Sequence, residues 1–212
     1  MYLPAHFEET RPEVLHRLLR SHPLGLLVTL GSAGMEANAT PFLLDPDRGP
    51  HGTLRAHVAR ANPVWREAHT DVDSLVVFQG PQAYVSPGWY ASKAETGKVV
   101  PTWNYVLATA RGRLRVIDDA DWVHRFVSEL TDRHEMPRET PWKVSDAPTD
   151  YIAGLLHAIV GIEIELAELT GKWKVSQNRS AADRDGVAQG LAEVGRADAT
   201  AMAQQVREPG SV

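Results

Sequence analysis

The sequence predicts a mainly β protein with inserted helices, an α+β chain whose strands form a closed or nearly closed barrel. Short apolar segments are separated by turns containing Gly and Pro, about six of them follow at short intervals, and helical periodicity appears between them. A parallel α/β fold is the alternative. It is disfavoured because the strands come in hairpins and no Gly-rich strand-to-helix turn opens the chain.

The N-terminal part predicts a helix and then a hairpin. Residues 10–13 are a candidate capping box, and apolar residues at helical spacing follow over 11–21. An apolar strand over 24–30 ends in the turn 31–34, and a second strand follows at 36–44.

The later elements are predicted from the same alternation and punctuation. The segments 74–78 and 82–85 are either a strand pair or one bent strand. The predicted strands are 53–58, 74–78 with 82–85, 97–116 and 158–169. Helices are predicted to start near residues 62, 119, 149 and 180. The segments 45–52 and 137–148 are predicted loops.

Length and composition limit the classes of protein that this chain can be. Its 212 residues predict one domain over 1–195 with attached helices, followed by a flexible tail over 196–212. The absence of cysteine excludes disulfides and thiolate metal sites, and no histidine pattern indicates another metal site. We find no signal peptide and no apolar run long enough for a membrane helix, so we expect a soluble, cytoplasmic protein.

The segment HVARANPVW, residues 57–65, has the character of an anion site. A strand leads to a helix N-terminus at Asn62, where backbone N–H groups are free, and Arg60 and His57 add a charge and a donor. A phosphate ester suits this arrangement. An ordinary helix cap with a solvated arginine is the alternative.

Two further segments combine aromatic and polar side chains. In residues 80–93, Trp89 lies near Ser86 and offers a surface on which a flat ring can stack, although filling of a barrel rim explains it equally. In residues 98–112, strand alternation places Thr102 and Asn104 on one face and Trp103 and Tyr105 on the other. These polar residues either contact a heteroaromatic edge or belong to a half-solvated strand.

The segment GKWKVSQNRSAADRDG, residues 171–186, concentrates positive charge in a chain of net charge −5. Lys172, Lys174 and Arg179 accompany the side-chain donors Ser176 and Gln177 just before a predicted helix. This junction favours an anion, and a basic solvated loop is the alternative.

Taken in order, MYLPAHF and these four segments resemble the PaiB family, described as FMN-binding negative transcriptional regulators. The resemblance covers nearly the whole chain. It implies the FMN-binding split β-barrel related to pyridoxamine-phosphate oxidases, in which two subunits hold the flavin between them. One departure occurs in the second strand, where Ala39 or Thr40 stands in place of an expected histidine.

The resemblance also implies individual flavin contacts. The ribityl phosphate would lie at His57, Arg60 and Asn62. Further residues would approach the ring or ribityl chain from the same subunit or from the partner: Ser86, Trp89, Thr102 and Asn104 from the first, and Lys174, Ser176 and Gln177 from the second.

The functional expectation is an FMN-binding homodimer that represses genes, acting on DNA directly or indirectly in response to redox state or a metabolite. The acidic net charge and the lack of a DNA-reading element weigh against direct DNA binding. A flavin-dependent oxidoreductase or flavin reductase is the alternative, because a bound flavin supplies redox chemistry by itself.

Overall fold

The computed structural model describes residues 1–211, which form eight strands, seven α-helices and three short 3-10 helices. The chain divides into two compact units. Unit 1 contains Met1–His22, Phe78–Thr109 and the residues from Leu169 onward, and unit 2 contains Pro23–Val77 and Ala110–Glu168. Within 1–211, no helix is long and apolar enough to cross a membrane.

The strands are β1 (Glu8–Glu9), β2 (Leu24–Gly31), β3 (Gly34–Pro41), β4 (Leu43–Asp45), β5 (Thr53–Ala59), β6 (Asp73–Val85), β7 (Thr102–Ile117) and β8 (Ile159–Lys174). The helices are α1 (Pro12–Ser21), α2 (Val64–Glu67), α3 (Ser92–Thr96), α4 (Ala120–Glu135), α5 (Thr149–His157), α6 (Ala181–Glu193) and α7 (Ala197–Arg207).

The strands form one sheet in the order β3-β2-β6-β7-β8-β5-β4, with β1 added to β8. Antiparallel registers join β2 to β3 and β6, β5 to β4 and β8, and β1 to β8. These pairings confirm the prediction of a mainly β fold with inserted helices. The parallel α/β alternative is wrong, since all of these registers are antiparallel.

Several predicted boundaries change in the structure. The predicted strand 36–44 is divided into β3 and β4, while 74–78 and 82–85 belong to the single strand β6. The capping box at 10–13 is wrong, because α1 has Arg11 as its N-cap and no side-chain cap. Glu9 instead accepts hydrogen bonds from the backbone and guanidinium N–H groups of Arg11, both at 2.9 Å.

The predicted flexible tail over 196–212 is wrong for most of its length, because residues 197–207 form α7. Its apolar residues recur at helical spacing and are buried, with Met202 0% and Val206 4% exposed. Trp173 Nε1 donates to Gln205 Oε1 at 3.1 Å within unit 1, which ties the helix to β8. This helix was not predicted because its many alanines give only a weak apolar periodicity.

In unit 2, α4 covers the face of β5 that carries Arg55 and His57. Arg55 forms two hydrogen bonds to the Glu129 carboxylate, at 2.7 and 2.8 Å. The His57 ring meets Phe126 edge-on with centroids 5.7 Å apart, and within residues 1–211 its buried Nδ1 has no hydrogen-bond partner. Burial lowers the pKa of His57 below its ordinary value of 6.5, because the charged ring would lose hydration there.

The buried His57 ring predicts a loss of stability in mild acid. The unfolded chain takes up a proton on this ring as the pH falls through about 6.5, whereas the folded chain takes it up only at lower pH, so the free energy of unfolding decreases over that window. Urea unfolding of His57→Gln between about pH 8 and about pH 5 should show a weaker pH dependence than the original chain.

His22 is the matched comparison, because burial also lowers its pKa. The double variant His22→Gln, His57→Gln should therefore have the flattest profile of the series. An unchanged slope for His57→Gln would contradict the burial of its neutral ring.

Candidate functional site

Most of the predicted site residues lie in unit 1, and the remainder lie in unit 2. The unit 1 group is Ser86, Trp89, Thr102, Asn104, Lys174, Ser176 and Gln177, and the unit 2 group is His57, Arg60 and Asn62. Each group is described by itself below.

In unit 1, the start of β7 lies beside the end of β8. Lys174 Nζ donates to Thr102 Oγ1 and to the Trp103 carbonyl oxygen, both at 2.5 Å. The resemblance implies that Thr102 and Lys174 approach the flavin from different subunits, and within one chain their side chains are in contact. Both side chains are partly exposed, so a ligand can reach them.

Asn104 and Ser176 form a buried pair behind this contact. Asn104 Nδ2 donates to Ser176 Oγ at 2.9 Å. Asn104 is 1% exposed and Ser176 is 4% exposed. Ser176 has a φ of 65°, a left-handed conformation that few residues other than glycine adopt. The hydrogen bond therefore stabilises a sharp change of chain direction directly after β8.

Gln177 holds the same turn through the backbone. Its Oε1 accepts from the Val175 N–H at 2.8 Å, and its Nε2 donates to the Trp173 carbonyl oxygen. Asn104, Ser176 and Gln177 thus use their polar atoms within the protein. These three residues stabilise the turn beside the site. The side chains around Lys174 are the ones that can contact a ligand.

Three cations gather at this place, and we call Lys172, Lys174 and Arg179 the cation cluster. Burial lowers the pKa of Lys174, and the positive charges of Lys172 and Arg179 lower it further. None of the three forms a salt bridge within residues 1–211. Arg179 also acts on the charge of Asp183, which accepts hydrogen bonds from Ser92. A group of three like charges that forms no salt bridge favours the binding of an anion.

Aromatic rings accompany the cation cluster. The Tyr105 ring lies 5.4 Å from Lys172 Nζ and 5.8 Å from Lys174 Nζ, and Arg179 lies 4.8 Å from the Tyr90 ring. The predicted alternation on β7 is confirmed, since Asn104 is buried and Trp103 is 54% exposed. From the sequence Tyr105 had no predicted role, although strand alternation places it on the same face as Trp103.

Ser86 and Trp89 lie in the short turn directly after β6 and line a pocket of about 380 Å³ together with Trp103. Ser86 Oγ accepts a hydrogen bond from the Gly88 N–H at 3.2 Å, which stabilises the short turn that follows. Ser86 and Trp89 therefore have structural roles in addition to facing a pocket.

In unit 2, Arg60 connects three chain segments. Its guanidinium forms two hydrogen bonds to Asp118, at 2.6 and 3.0 Å, and donates to the carbonyl oxygens of His157 and Ile159. The guanidinium beside it holds the pKa of Asp118 below its usual value. A phosphate at Arg60 would have to replace this carboxylate, so Arg60 is not the free cation that the sequence suggested.

Asn62 also uses its side chain within unit 2. Its Nδ2 donates to Asn38 Oδ1 at 2.9 Å, and its Oδ1 accepts from the Val64 N–H at 3.0 Å. The four-residue helix α2 has Pro63 as its N-cap, so the prediction of Asn62 at that position is off by one residue. The side chain nevertheless satisfies the first helical N–H group, as a cap does.

A family model described as "Putative FMN-binding domain" matches residues 1–168. An uncharacterized protein of Emericella nidulans is 35% identical over 247 residues, which cover 100% of this chain and 98% of that protein. The Bacillus subtilis protein named "Protease synthase and sporulation protein PAI 2" is 27% identical over 208 residues, covering 98% of this chain and 97% of its own.

Solved structures share the fold at low sequence identity. The flavocytochrome Anf3 of Azotobacter vinelandii superposes with a TM-score of 0.56 at 14% identity, over 79% of this chain and 69% of that one. An FAD and heme binding protein of Mycobacterium smegmatis gives 0.56 at 19% identity, over 79% and 73%. These similarities confirm the split-barrel prediction. The chain belongs to the FMN-binding domain family of the PaiB type.

Proposed function

We propose that this chain binds FMN and that the cation cluster receives its phosphate. The observation that carries the proposal is the meeting of Lys172, Lys174 and Arg179, none of which forms a salt bridge among residues 1–211. Membership in a family of FMN-binding domains supports the flavin itself. Bound FMN supplies a ring that accepts and returns electrons.

The residues around the cation cluster suit a phosphorylated ribityl chain. Lys174 Nζ and Thr102 Oγ1 are polar groups at the surface, and Lys174 is held in place by the Trp103 carbonyl oxygen. Charge-assisted hydrogen bonds from such groups to phosphate oxygens are among the strong ones in proteins. The turn after β5 is the other location for the phosphate, and it is less favourable because Asp118 already occupies Arg60.

Titration of the flavin-free chain with FMN tests this location. Lys174→Ala should weaken FMN binding by about tenfold or more, because it removes one charged hydrogen-bond donor, roughly 1.5–3 kcal/mol. Arg60→Ala and Asn62→Ala are the matched variants at the other location and should weaken binding less. Quenching of flavin fluorescence gives the dissociation constants.

Riboflavin, which lacks the phosphate, serves as the control ligand and should bind the original chain and Lys174→Ala with similar affinity. If Arg60→Ala and Asn62→Ala release FMN while Lys174→Ala retains it, the phosphate lies at the turn after β5 instead. If the chain leaves the fluorescence of FMN unchanged throughout the titration, flavin binding is refuted altogether.

We further propose that two copies associate through an apolar face of unit 2. The outward residues of β2 and β3 are all apolar, and the register places Leu26 opposite Ala39 and Leu30 opposite Met35. Met35 is 80% exposed. An antiparallel sheet normally has one polar face, so an exposed apolar face indicates a partner surface.

A second copy of this chain fits that face because a twofold interface needs only one self-complementary patch. Of the two positions at which the resemblance leads us to expect a histidine, Ala39 belongs to this patch and Thr40 is buried beneath it. The apolar residues that form the patch are Leu24, Leu26, Val28, Leu30, Met35, Ala37 and Ala39.

Leu26→Lys should convert the dimer to a monomer, since a dimer would bury two unpaired ammonium groups. Light scattering coupled to size-exclusion chromatography measures the mass directly. Asp71→Lys, at an exposed position outside the patch, should leave the dimer intact. An unchanged mass for Leu26→Lys would place the interface elsewhere.

The regulatory role is proposed from the family rather than from a DNA-reading element. We infer that the flavin-bound dimer represses transcription and that its oxidation state alters this effect. The family resemblance supports this inference, while the net charge of −5 argues that any direct contact with DNA is local, at basic places such as the cation cluster.

A gel shift with the DNA upstream of the chain's own gene tests direct repression. We expect a shift at low salt that weakens as salt rises and that changes when dithionite reduces the flavin. An unrelated fragment of equal length is the control. No shift of the flavin-loaded dimer at any salt would exclude direct repression, and anaerobic bleaching of the flavin by NADH or NADPH would favour the oxidoreductase alternative.

A further inference from the structure

Unit 1 contains a pocket that the proposed phosphate contacts do not use. Its volume is about 380 Å³, and it lies between the ends of β6 and β7 and the connection from α6 to α7. Pockets for small molecules span roughly 300–1,000 Å³. The pocket therefore has room for a compact organic molecule.

Three aromatic side chains form the walls of this pocket. Tyr84 is 48% and Trp103 is 54% exposed, and their rings meet edge-on with centroids 6.2 Å apart. Trp89 lies against α6, where a Cβ on Gly190 would fall 2.4 Å from its indole. Glycine at that position thus lets the indole approach the helix while the ring lines the pocket.

Apolar residues at the end of α6 and directly after it complete the lining. Leu191 is fully buried beneath the pocket, and Val194 is 47% exposed at its edge. When a flat apolar ring covers large aromatic side chains that are exposed in a pocket, the burial of their apolar surface lowers the free energy. The lining therefore selects a planar aromatic group.

The pocket also has one side chain of each charge. Arg196 and Asp198 both line it, on either side of the first residue of α7. Neither forms a salt bridge within residues 1–211. Asp198 is exposed, suits the positive end of α7 and acts on the charge of His22.

We propose that this pocket binds an aromatic α-amino acid. The side-chain ring stacks among Tyr84, Trp89 and Trp103. The α-carboxylate pairs with Arg196, and the α-ammonium group pairs with Asp198. A neutral aromatic molecule would leave both charges without a partner, and a simple aromatic acid would leave Asp198 beside a second negative charge.

Calorimetric titration with three related compounds tests the proposal on the chain as purified and after loading with FMN. L-Tryptophan carries both charged groups, indole-3-propionate lacks the ammonium group, and tryptamine lacks the carboxylate. The original chain should bind L-tryptophan about tenfold more tightly than either of the others, because each of them loses one charged contact.

The variants should change the affinities in a crossed pattern. Asp198→Asn should weaken L-tryptophan and tryptamine about tenfold while sparing indole-3-propionate, and Arg196→Gln should weaken L-tryptophan and indole-3-propionate while sparing tryptamine. Trp103→Ala should weaken all three. Glu208→Gln, an exposed change outside the pocket, should weaken none.

Three results would overturn the proposal. The first is no heat of binding for L-tryptophan at millimolar concentration, and the second is equal affinity of the original chain for all three compounds. The third is complete displacement of L-tryptophan by FMN with a matching inhibition constant, which would assign this pocket to the flavin ring. Failure of FMN to bind anywhere would leave the crossed pattern intact, so this test and the flavin test are separable.

Discussion

The hydrogen bond between Asn104 and Ser176 holds together the part of unit 1 on which the proposed site depends. It joins β7 to the turn that follows β8 and retains a residue in a left-handed conformation, which costs roughly 1–3 kcal/mol unless its surroundings fix it. Lys172 and Lys174 lie just before this turn, and Arg179 lies just after it. The buried pair thereby fixes the place where chain segments carrying the three cations meet.

Different residues stabilise the turn and contact the proposed ligand. Asn104, Ser176 and Gln177 spend their hydrogen-bonding groups on one another and on the backbone, whereas Lys174 stays partly exposed. Bringing cations together raises the electrostatic energy of the folded chain. The pKa of Lys174 is lowered first by burial and then by the charges of Lys172 and Arg179. An anion that enters relieves it, so the same repulsion that opposes folding favours binding.

Much of the fold follows from patterns that are local in sequence. The turn at 31–34 defines the first hairpin, and alternation on β7 places Asn104 inside and Trp103 outside, as predicted. The site is less predictable because its contacts join distant residues: Arg60 meets Asp118 58 positions away, and Asn104 meets Ser176 72 positions away. A sequence shows that these residues are polar, but it does not show that they satisfy each other.

The glycines of α6 have a consequence for how this part of the molecule assembles. Gly186 and Gly190 each disfavour an isolated helix by about 1 kcal/mol relative to alanine, so α6 depends on partners to form. Trp89 is one of those partners, because its backbone and indole fill the space that side chains on the two glycines would take. We therefore expect the helix and the aromatic side chains to become ordered together, and a molecule that presses Trp89 against α6 would favour the folding of this C-terminal helix.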